Sequence, residues 1–240
     1  MVRPPLPLLL AALALLAAAG CSAPTARTLL DDALERRGGR SVYETAGGAV
    51  RTERGELRGV PYEATLSFRE PNQLRHAFRL AEVGPEIAQV FDGRAAWQAM
   101  DGHTSRLDAA DARVLRNRAM DETSFWMVGL DDPNLTTERL EASTFRGREV
   151  ESVRVHHWTG YARVLHFDPA TGDLIGAEGN TWTPFGREYL ETTYSAFETF
   201  DGLRLPTRIE VHAGDDLYSA ADVVSWSIGA PPDAAFRLDG

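Results

Sequence analysis

The histidines, carboxylates and serines of this chain are the residues that could carry acid, base, nucleophilic or metal-binding chemistry. Its six histidines never show the spacing of a zinc-binding helix, and the adjacent His156 and His157 are expected to face opposite sides of a strand. The sequence has no Gly-x-Ser-x-Gly elbow, no dinucleotide-binding glycine fingerprint and no calcium loop. Its 35 acidic residues are best explained as a solvated surface rather than as a hydrolytic pair. These residue types favour a protein that is not an enzyme and binds no metal or cofactor.

The basic residues exclude further classes of function. All 25 are arginines, since the sequence contains no lysine. Phosphate-loop nucleotide binding, Schiff-base catalysis and serine-lysine acylation each require a lysine amine, so these classes are excluded. The formal net charge is −10, and such a field makes nucleic acid and anionic lipid headgroups poor partners.

The single cysteine has the clearest chemistry. Arg3 precedes an apolar run over residues 6–19, which is broken by Pro7 and is too short for a bilayer-spanning helix. The run leads to Ala18-Ala19-Gly20-Cys21, which resembles the bacterial lipobox. That resemblance implies cleavage after Gly20 and attachment of palmitate-type acyl chains to Cys21. Ser22, rather than aspartate, then implies sorting toward the outer membrane.

These features divide the chain into three parts. Residues 1–20 are predicted to be a lipoprotein signal peptide, residues 21–24 a tether that begins with lipidated Cys21, and residues 25–240 a single domain. That domain is long enough to bury a sizeable core, and no linker splits it. Because there is no second cysteine, the fold has to rest on burial rather than on an internal disulfide.

Hydrophobic periodicity predicts the elements of this domain. Apolar residues at helical spacing predict a helix over residues 25–37, which ends at the Gly38-Gly39 pair. From Ala49 the period changes to two, which predicts strands with one buried face. Residues 108–120 and 122–130 return to helical spacing and predict a two-part helical insert, after which strands resume from Val150. Together these elements predict a long antiparallel meander that is interrupted once by helices.

Several short motifs, taken in order, resemble the LolA/LolB family of outer-membrane lipoprotein carriers and sorting proteins. The motifs are Arg69-Glu70-Pro71-Asn72, Asp92-Gly93-Arg94 with Trp97, Thr123-Ser124-Phe125-Trp126-Met127, and Phe167-Asp168-Pro169-Ala170-Thr171-Gly172 with Phe200-Asp201-Gly202-Leu203-Arg204-Leu205-Pro206. The resemblance implies an α+β, mainly antiparallel fold. We expect an incompletely closed, curved β-barrel of about ten or eleven strands, with an N-terminal helix and a helical lid. It also implies that acyl chains bind in an apolar cavity under that lid.

One position departs from the family pattern. In the soluble carriers an arginine directly precedes the Pro-Asn turn and helps to latch the lid, whereas this chain has Glu70 there and Arg69 one residue earlier. A one-residue step in a strand turns a side chain to the opposite face. Delivery of lipoproteins and handling of another lipid by an anchored relative therefore both remain open.

The candidate ligand-binding residues are the large apolar side chains of the predicted cavity and lid. They are Tyr62, Leu66, Phe68, Phe78, Trp97, Phe125, Trp126 and Met127, with Tyr189 as a further lining residue. The same side chains would also suit an ordinary packed core. Two function classes follow: a carrier or acceptor of lipids or lipoproteins, and a structural or regulatory interaction domain with a filled core.

The first class makes definite expectations about partners and location. The partners are lipid or lipoprotein acyl chains, the membrane through the lipid on Cys21, and other envelope transport proteins, with no nucleic acid. The expected location is the cell envelope, on the outer membrane facing the periplasm.

Overall fold

A computed structural model describes residues 25–81, 84–127, 130, 135–183 and 185–238 of the chain. The predicted signal peptide, Cys21 and the tether lie outside these residues, so the predictions about them stay predictions. None of the described helices combines the length and apolarity needed to cross a membrane.

The described residues form fourteen strands in one sheet, and all of their pairings are antiparallel. In chain order they are β1 (Gly48–Leu57), β2 (Val60–Arg69), β3 (Gln73–Leu80), β4 (Glu86–Phe91), β5 (Ala96–Met100), β6 (His103–Arg106), β7 (Thr136–Arg139), β8 (Ser143–Phe145), β9 (Arg148–His156), β10 (Ala162–Phe167), β11 (Leu174–Thr183), β12 (Gly186–Phe200), β13 (Leu203–Ala213) and β14 (Asp216–Ile228). The spatial order is β6-β5-β4-β3-β2-β1-β14-β13-β12-β11-β10-β9-β7, with β8 paired to β9.

This topology confirms the predicted fold class, because the two edge strands, β6 and β7, do not pair with each other and so leave the sheet incompletely closed. The strand number exceeds the expected ten or eleven. The three additional strands, β6, β7 and β8, are only three or four residues long, and most of their residues are not buried. Segments this short cannot display a convincing alternation of apolar and polar residues.

Helix α1 (Ala26–Arg36) confirms the predicted N-terminal helix. The Thr25 side chain caps it by accepting a hydrogen bond from the Thr28 backbone amide, and its buried face includes Leu30 and Leu34. Helix α2 (Arg40–Ala46) is not predicted from the sequence, and Tyr43 is its one buried residue. A short 3-10 helix, Asp233–Phe236, follows the last strand.

The insert is one continuous helix, α3 (Ala109–Trp126), so the expectation of two helical segments over residues 108–120 and 122–130 is wrong. Met127, with a positive φ of 55°, ends the helix, and residues 128 and 129 lie outside the described part. Asp121 and Glu122, at the expected boundary of the two segments, lie within the helix and form ion pairs with Arg163 and Arg51 of the sheet.

In sequence, α3 connects the two edges of the sheet, since it lies between β6 and β7. It packs against β3, β4 and β5 on one side and against β10 and β11 on the other. Its position agrees with the prediction that the insert covers the sheet rather than extends it.

The start of α3 allows a direct test of the helix. Asp108 Oδ1 accepts hydrogen bonds from the amides of Ala110 (2.8 Å) and Asp111 (3.0 Å). We expect Asp108→Ala to lower the free energy of unfolding by about 1 kcal/mol, because two amides lose their acceptor. Hydrogen exchange of the first turn should accelerate. Asp108→Ser, which retains a capping oxygen, is the control and should recover most of the loss; equal effects of both variants would contradict this role.

The concave face beneath helix α3

The face covered by α3 is defined by the pairing of β1 with β2. Arg51 pairs with Leu66 and Glu53 pairs with Ala64, so these four side chains lie on one side of the sheet. All four are buried. The concave face therefore combines apolar residues with charged ones, and α3 meets both kinds.

The C-terminal end of α3 fills the apolar part of this face. Phe125, Trp126 and Met127 are 3%, 2% and 1% exposed. The Trp126 ring lies edge-on to those of Tyr43 and Trp226, with centroid distances of 5.6 and 5.7 Å. These contacts form a closed aromatic cluster, so the apolar space beneath the lid is occupied by the lid's own side chains.

The sequence-predicted cavity residues of β2 divide between two environments. Leu66 and Phe68 are buried in the same hydrophobic core as Phe125 and Trp126. Tyr62 belongs to the polar region, where its hydroxyl donates to Glu53 Oε1 at 3.2 Å.

The remaining predicted residues lie farther from the aromatic cluster. Phe78, on β3, shares the concave face and stacks on His76 at 4.7 Å. Trp97 pairs with Val90 on the opposite face and is 38% exposed, so the expectation that it faces the lid is wrong. In β5 the inward position belongs to its neighbour Ala96. This short strand has apolar residues at both alternating sets of positions, so its sequence does not decide whether Ala96 or Trp97 points to the interior.

Sequence reasoning missed the charged cluster in the polar half of the concave face. Arg51 Nε lies 2.8 Å from Glu53 Oε2, and Arg51 Nη2 lies 3.5 Å from Glu122 Oε1. The guanidinium also lies 5.3 Å from the centre of the Trp226 ring. The only signal was the inward phase of β1, where Ala49 is followed two and four residues later by Arg51 and Glu53.

Burial sets the protonation of this cluster. Desolvation raises the pKa of Glu122, and Arg51 partly counteracts it. Burial lowers the pKa of His76 well below its usual value, so its ring is neutral and Nδ1 accepts a hydrogen bond from Arg118 Nη1 at 3.0 Å. Arg51, Glu53, Arg118 and Glu122 line a pocket of only about 150 Å³. Its charged lining suits an ion or small polar group better than an acyl chain.

Polar contacts attach α3 to both sides of the sheet. On one side, Asp121 accepts from the Tyr161 hydroxyl and lies 3.1 Å from Arg163 Nε. On the other side, Thr123 Oγ1 donates to Pro71 O at 2.9 Å. The helix therefore acts as a bridge between strands that do not pair with each other.

The turn before β3 departs from the family pattern by having Glu70 before the Pro-Asn pair and Arg69 one residue earlier, and this changes what the arginine contacts. Arg69 does not reach α3: its Nη1 donates to Pro231 O at 3.2 Å, and its guanidinium lies 4.9 Å from the centre of the Phe236 ring. It thereby fixes the C-terminal segment. Arg37, from the end of α1, donates instead to Phe125 O at 3.1 Å and holds the end of the lid.

Several buried polar atoms at the lid have no hydrogen-bonding partner within the described part of the chain. They include Arg37 Nε and Nη2, Tyr43 Oη, Glu122 Oε2, Trp126 Nε1 and His157 Nδ1. A buried polar group left unpaired typically costs about 1–3 kcal/mol. The closed position of α3 is therefore less favourable than its apolar packing alone would make it.

No protein-family model matches the sequence, and no curated protein matches it either. Solved structures do match. A LolA superfamily protein from Nitrosomonas europaea aligns over 90% of this chain and 99% of its own, at 15% identity and a TM-score of 0.55. This chain has a LolA-like fold.

Two further structures support that assignment. A candidate outer membrane lipoprotein-sorting protein domain from Vibrio parahaemolyticus matches at 11% identity and a TM-score of 0.57, and a DUF1329 family protein from Desulfovibrio piger at 12% and 0.55. Each alignment covers 88% of this chain and 97% of the other. Likeness at this level of identity establishes the fold.

The motifs that suggested the LolA-like fold are mainly turn formers. Asp92 Oδ1 accepts from the amides of Arg94 and Ala95, both at 2.8 Å. Asp168 Oδ1 does the same for Ala170 (2.8 Å) and Thr171 (3.2 Å). Such residues set loop geometry, which explains why they identify the fold without identifying a ligand.

His157 links the stability of the lid to pH. Its Nε2 lies 3.1 Å from Ser124 Oγ of α3, and burial, with a smaller contribution from His156, lowers its pKa to about 4. The unfolded chain takes up this proton below about pH 6.5, whereas the folded chain resists it until about pH 4. Stability should therefore fall as the pH drops through this window, by up to about 3 kcal/mol for a full shift of this size.

The test compares urea unfolding at about pH 7 and about pH 5. His157→Gln should reduce the loss of stability on acidification, whereas His156→Gln, at the exposed neighbouring position, should not. Part of the loss should persist in both variants, since burial also lowers the pKa of His166 to about 4. An unchanged pH dependence in His157→Gln would contradict the assignment.

Proposed function

We propose that this protein is a membrane-anchored envelope lipoprotein that binds the acyl chains of lipids or lipoproteins beneath α3, and that it serves lipid or lipoprotein sorting to the outer membrane. The observation that carries the proposal is the end of α3 on a LolA-like fold. There, Phe125, Trp126 and Met127 occupy the apolar half of the concave face. Movement of the helix would expose this apolar surface to a ligand.

The energetics of acyl transfer suit such a site. A chain that leaves a bilayer loses about 0.8 kcal/mol per methylene if it enters water, and little if it enters an apolar cavity. Transfer between membrane and protein therefore needs neither a catalyst nor a fuel within the domain. The domain is accordingly proposed to be a carrier or acceptor, not an enzyme.

The contacts of α3 favour a lid that can open. Its apolar end closes the core, but Asp121, Glu122 and Thr123 attach it through polar contacts. Opening would give the unpaired atoms at Arg37, Glu122 and Trp126 access to water. That gain offsets part of the cost of exposing the aromatic cluster.

A second candidate is a structural or regulatory interaction domain with a permanently filled core. The near-complete burial of Phe125, Trp126 and Met127 favours it, as does the small, charged pocket beside them. In that case α3 is a fixed part of the core, and partners bind elsewhere. The two candidates differ in one measurable respect, which is whether loosening α3 creates an acyl-binding site.

Tyr161→Phe tests this directly, because it removes the hydroxyl that bonds to Asp121 of the lid. A hydrogen bond to a charged group contributes about 1.5–3 kcal/mol, so the variant should be less stable by about that amount. If the lid must open, the larger open fraction should tighten binding of a fluorescent fatty acid about tenfold. Binding is measured on a chain beginning at Ser22, so that no tethered acyl chain competes.

Tyr218→Phe is the matched control, since it removes a half-buried tyrosine hydroxyl on β14 that bonds to Thr183 of β11 rather than to α3. It should leave fatty-acid affinity unchanged. Saturable binding that strengthens only in Tyr161→Phe supports the carrier. Loss of stability in Tyr161→Phe without fatty-acid binding in any form of the protein would refute it and favour the filled-core domain.

Membrane anchoring is proposed to occur through Cys21. Cys21→Ser should prevent acylation and cleavage, so the protein should keep residues 1–20 and run at the mass of the unprocessed chain. Mass spectrometry of the protein from membrane and soluble fractions reads out both effects. Unchanged mass and fractionation of the variant would rule out this anchor. Replacement of Ser22 by threonine, which leaves the cysteine in place, is the control and should still yield acylated protein.

A further inference from the structure

A second concave space has a different chemistry from the lid region. It is a cleft of about 600 Å³ between α3 and the strands β9 to β12. Its lining is dominated by polar side chains and includes five arginines, namely Arg113, Arg116, Arg154, Arg163 and Arg187. Glu178 is the one carboxylate among the lining residues.

Two of these arginines are neutralised locally. Arg154 Nη1 lies 2.8 Å from Glu138 Oε2, and Arg163 Nε lies 3.1 Å from Asp121 Oδ1. Within the described residues, Arg113, Arg116 and Arg187 have no carboxylate at salt-bridge distance. The cleft thus carries a surplus of positive charge on a chain whose net charge is −10.

Two of these three arginines are constrained by their surroundings. The Arg113 guanidinium lies 5.0 Å from the centre of the Trp182 ring, and Arg116 is partly buried, with an Nε that has no partner in the described chain. Glu178 accepts a hydrogen bond from the Tyr189 hydroxyl and lies 3.4 Å from Nε2 of His166, whose ring is uncharged because burial lowers its pKa to about 4. Three arginines without a carboxylate partner therefore face the cleft together with one carboxylate, Glu178, beside the exposed rings of Trp182 and Tyr189.

We propose that this cleft binds a phosphorylated ligand that carries at least two negative charges. The planar fork of a guanidinium matches the oxygens of a phosphate group and can hold two of them at once. Three such groups converge on a volume suited to a small molecule or a headgroup. A concave site also concentrates the local positive field that the acidic remainder of the chain would otherwise cancel.

The site is independent of the proposed acyl binding, because it is lined by polar residues outside the aromatic cluster. Its phosphate groups could belong to a soluble molecule or to a lipid headgroup, and the chemistry of recognition is the same. The experiment therefore uses a soluble phosphate probe and a membrane probe in parallel.

The soluble probe is inorganic pyrophosphate, titrated by calorimetry into the full-length processed protein in a nonionic detergent. We expect saturable binding that weakens as salt concentration rises, since the contacts are ionic. Replacement of Arg113, Arg116 or Arg187 by glutamine should each weaken binding about tenfold, through loss of a charge-assisted hydrogen bond. Arg94→Gln, which removes an exposed arginine from a distant turn, is the matched control and should bind normally.

The membrane probe compares phosphatidylcholine vesicles with and without phosphatidic acid, which separates headgroup recognition from insertion of the lipid anchor. Preference for phosphatidic acid that disappears in Arg113→Gln identifies a lipid headgroup as the source of phosphate. Pyrophosphate binding without that preference identifies a soluble phosphorylated ligand. The proposal is overturned if the unmutated protein does not bind pyrophosphate, or if Arg94→Gln weakens binding as much as the cleft variants do. Unfolding curves verify that each variant is folded.

Discussion

The open concave face of the sheet is the constraint on which the rest of the structure depends. Because the edge strands β6 and β7 do not pair with each other, the curved sheet cannot seal its own interior, and its apolar residues would meet water without another layer. Helix α3 supplies that layer from the connection between the two edge strands. Arg37 and Tyr43, contributed by the N-terminal helical region, then hold the aromatic end of α3 in place.

Because one helix covers the concave face, its side chains must pack against both apolar and charged residues of the sheet. The end of α3 meets Trp226 and the apolar core, whereas its preceding turn meets Arg51 and Glu53. Burying such a charged group is costly unless its partners are close, so these ions tie α3 to one position. The buried polar atoms without partners around these ions make the same position of α3 less favourable. This balance is compatible with both candidate functions. In a carrier it would allow α3 to open, and in a filled-core domain it would fix α3 in a single position.

The charge of one local site also differs in sign from the net charge of the whole chain. The chain is acidic overall, yet the arginines of α3 and β12 meet in one cleft without enough carboxylates to neutralise them. Net charge describes the average field at long range, but a ligand inside a concave site experiences the nearest groups. The expectation from composition that nucleic acid and anionic lipid headgroups are poor partners therefore describes the surface as a whole, whereas the proposed site depends on the arginines of this cleft.

The sequence by itself determined the fold class, because alternation of apolar residues and the turn signals at Asp92-Gly93 and Asp168 depend on neighbours along the chain. It also placed Phe125, Trp126 and Met127 on a helical cover. Only the tertiary structure decided that these residues fill the space they cover, and that Trp97 faces away from it. It alone brought Glu122 to Arg51. Period-two spacing tells which residues share a face but not which face is inside, and ion pairs between distant segments leave no periodic trace in either one.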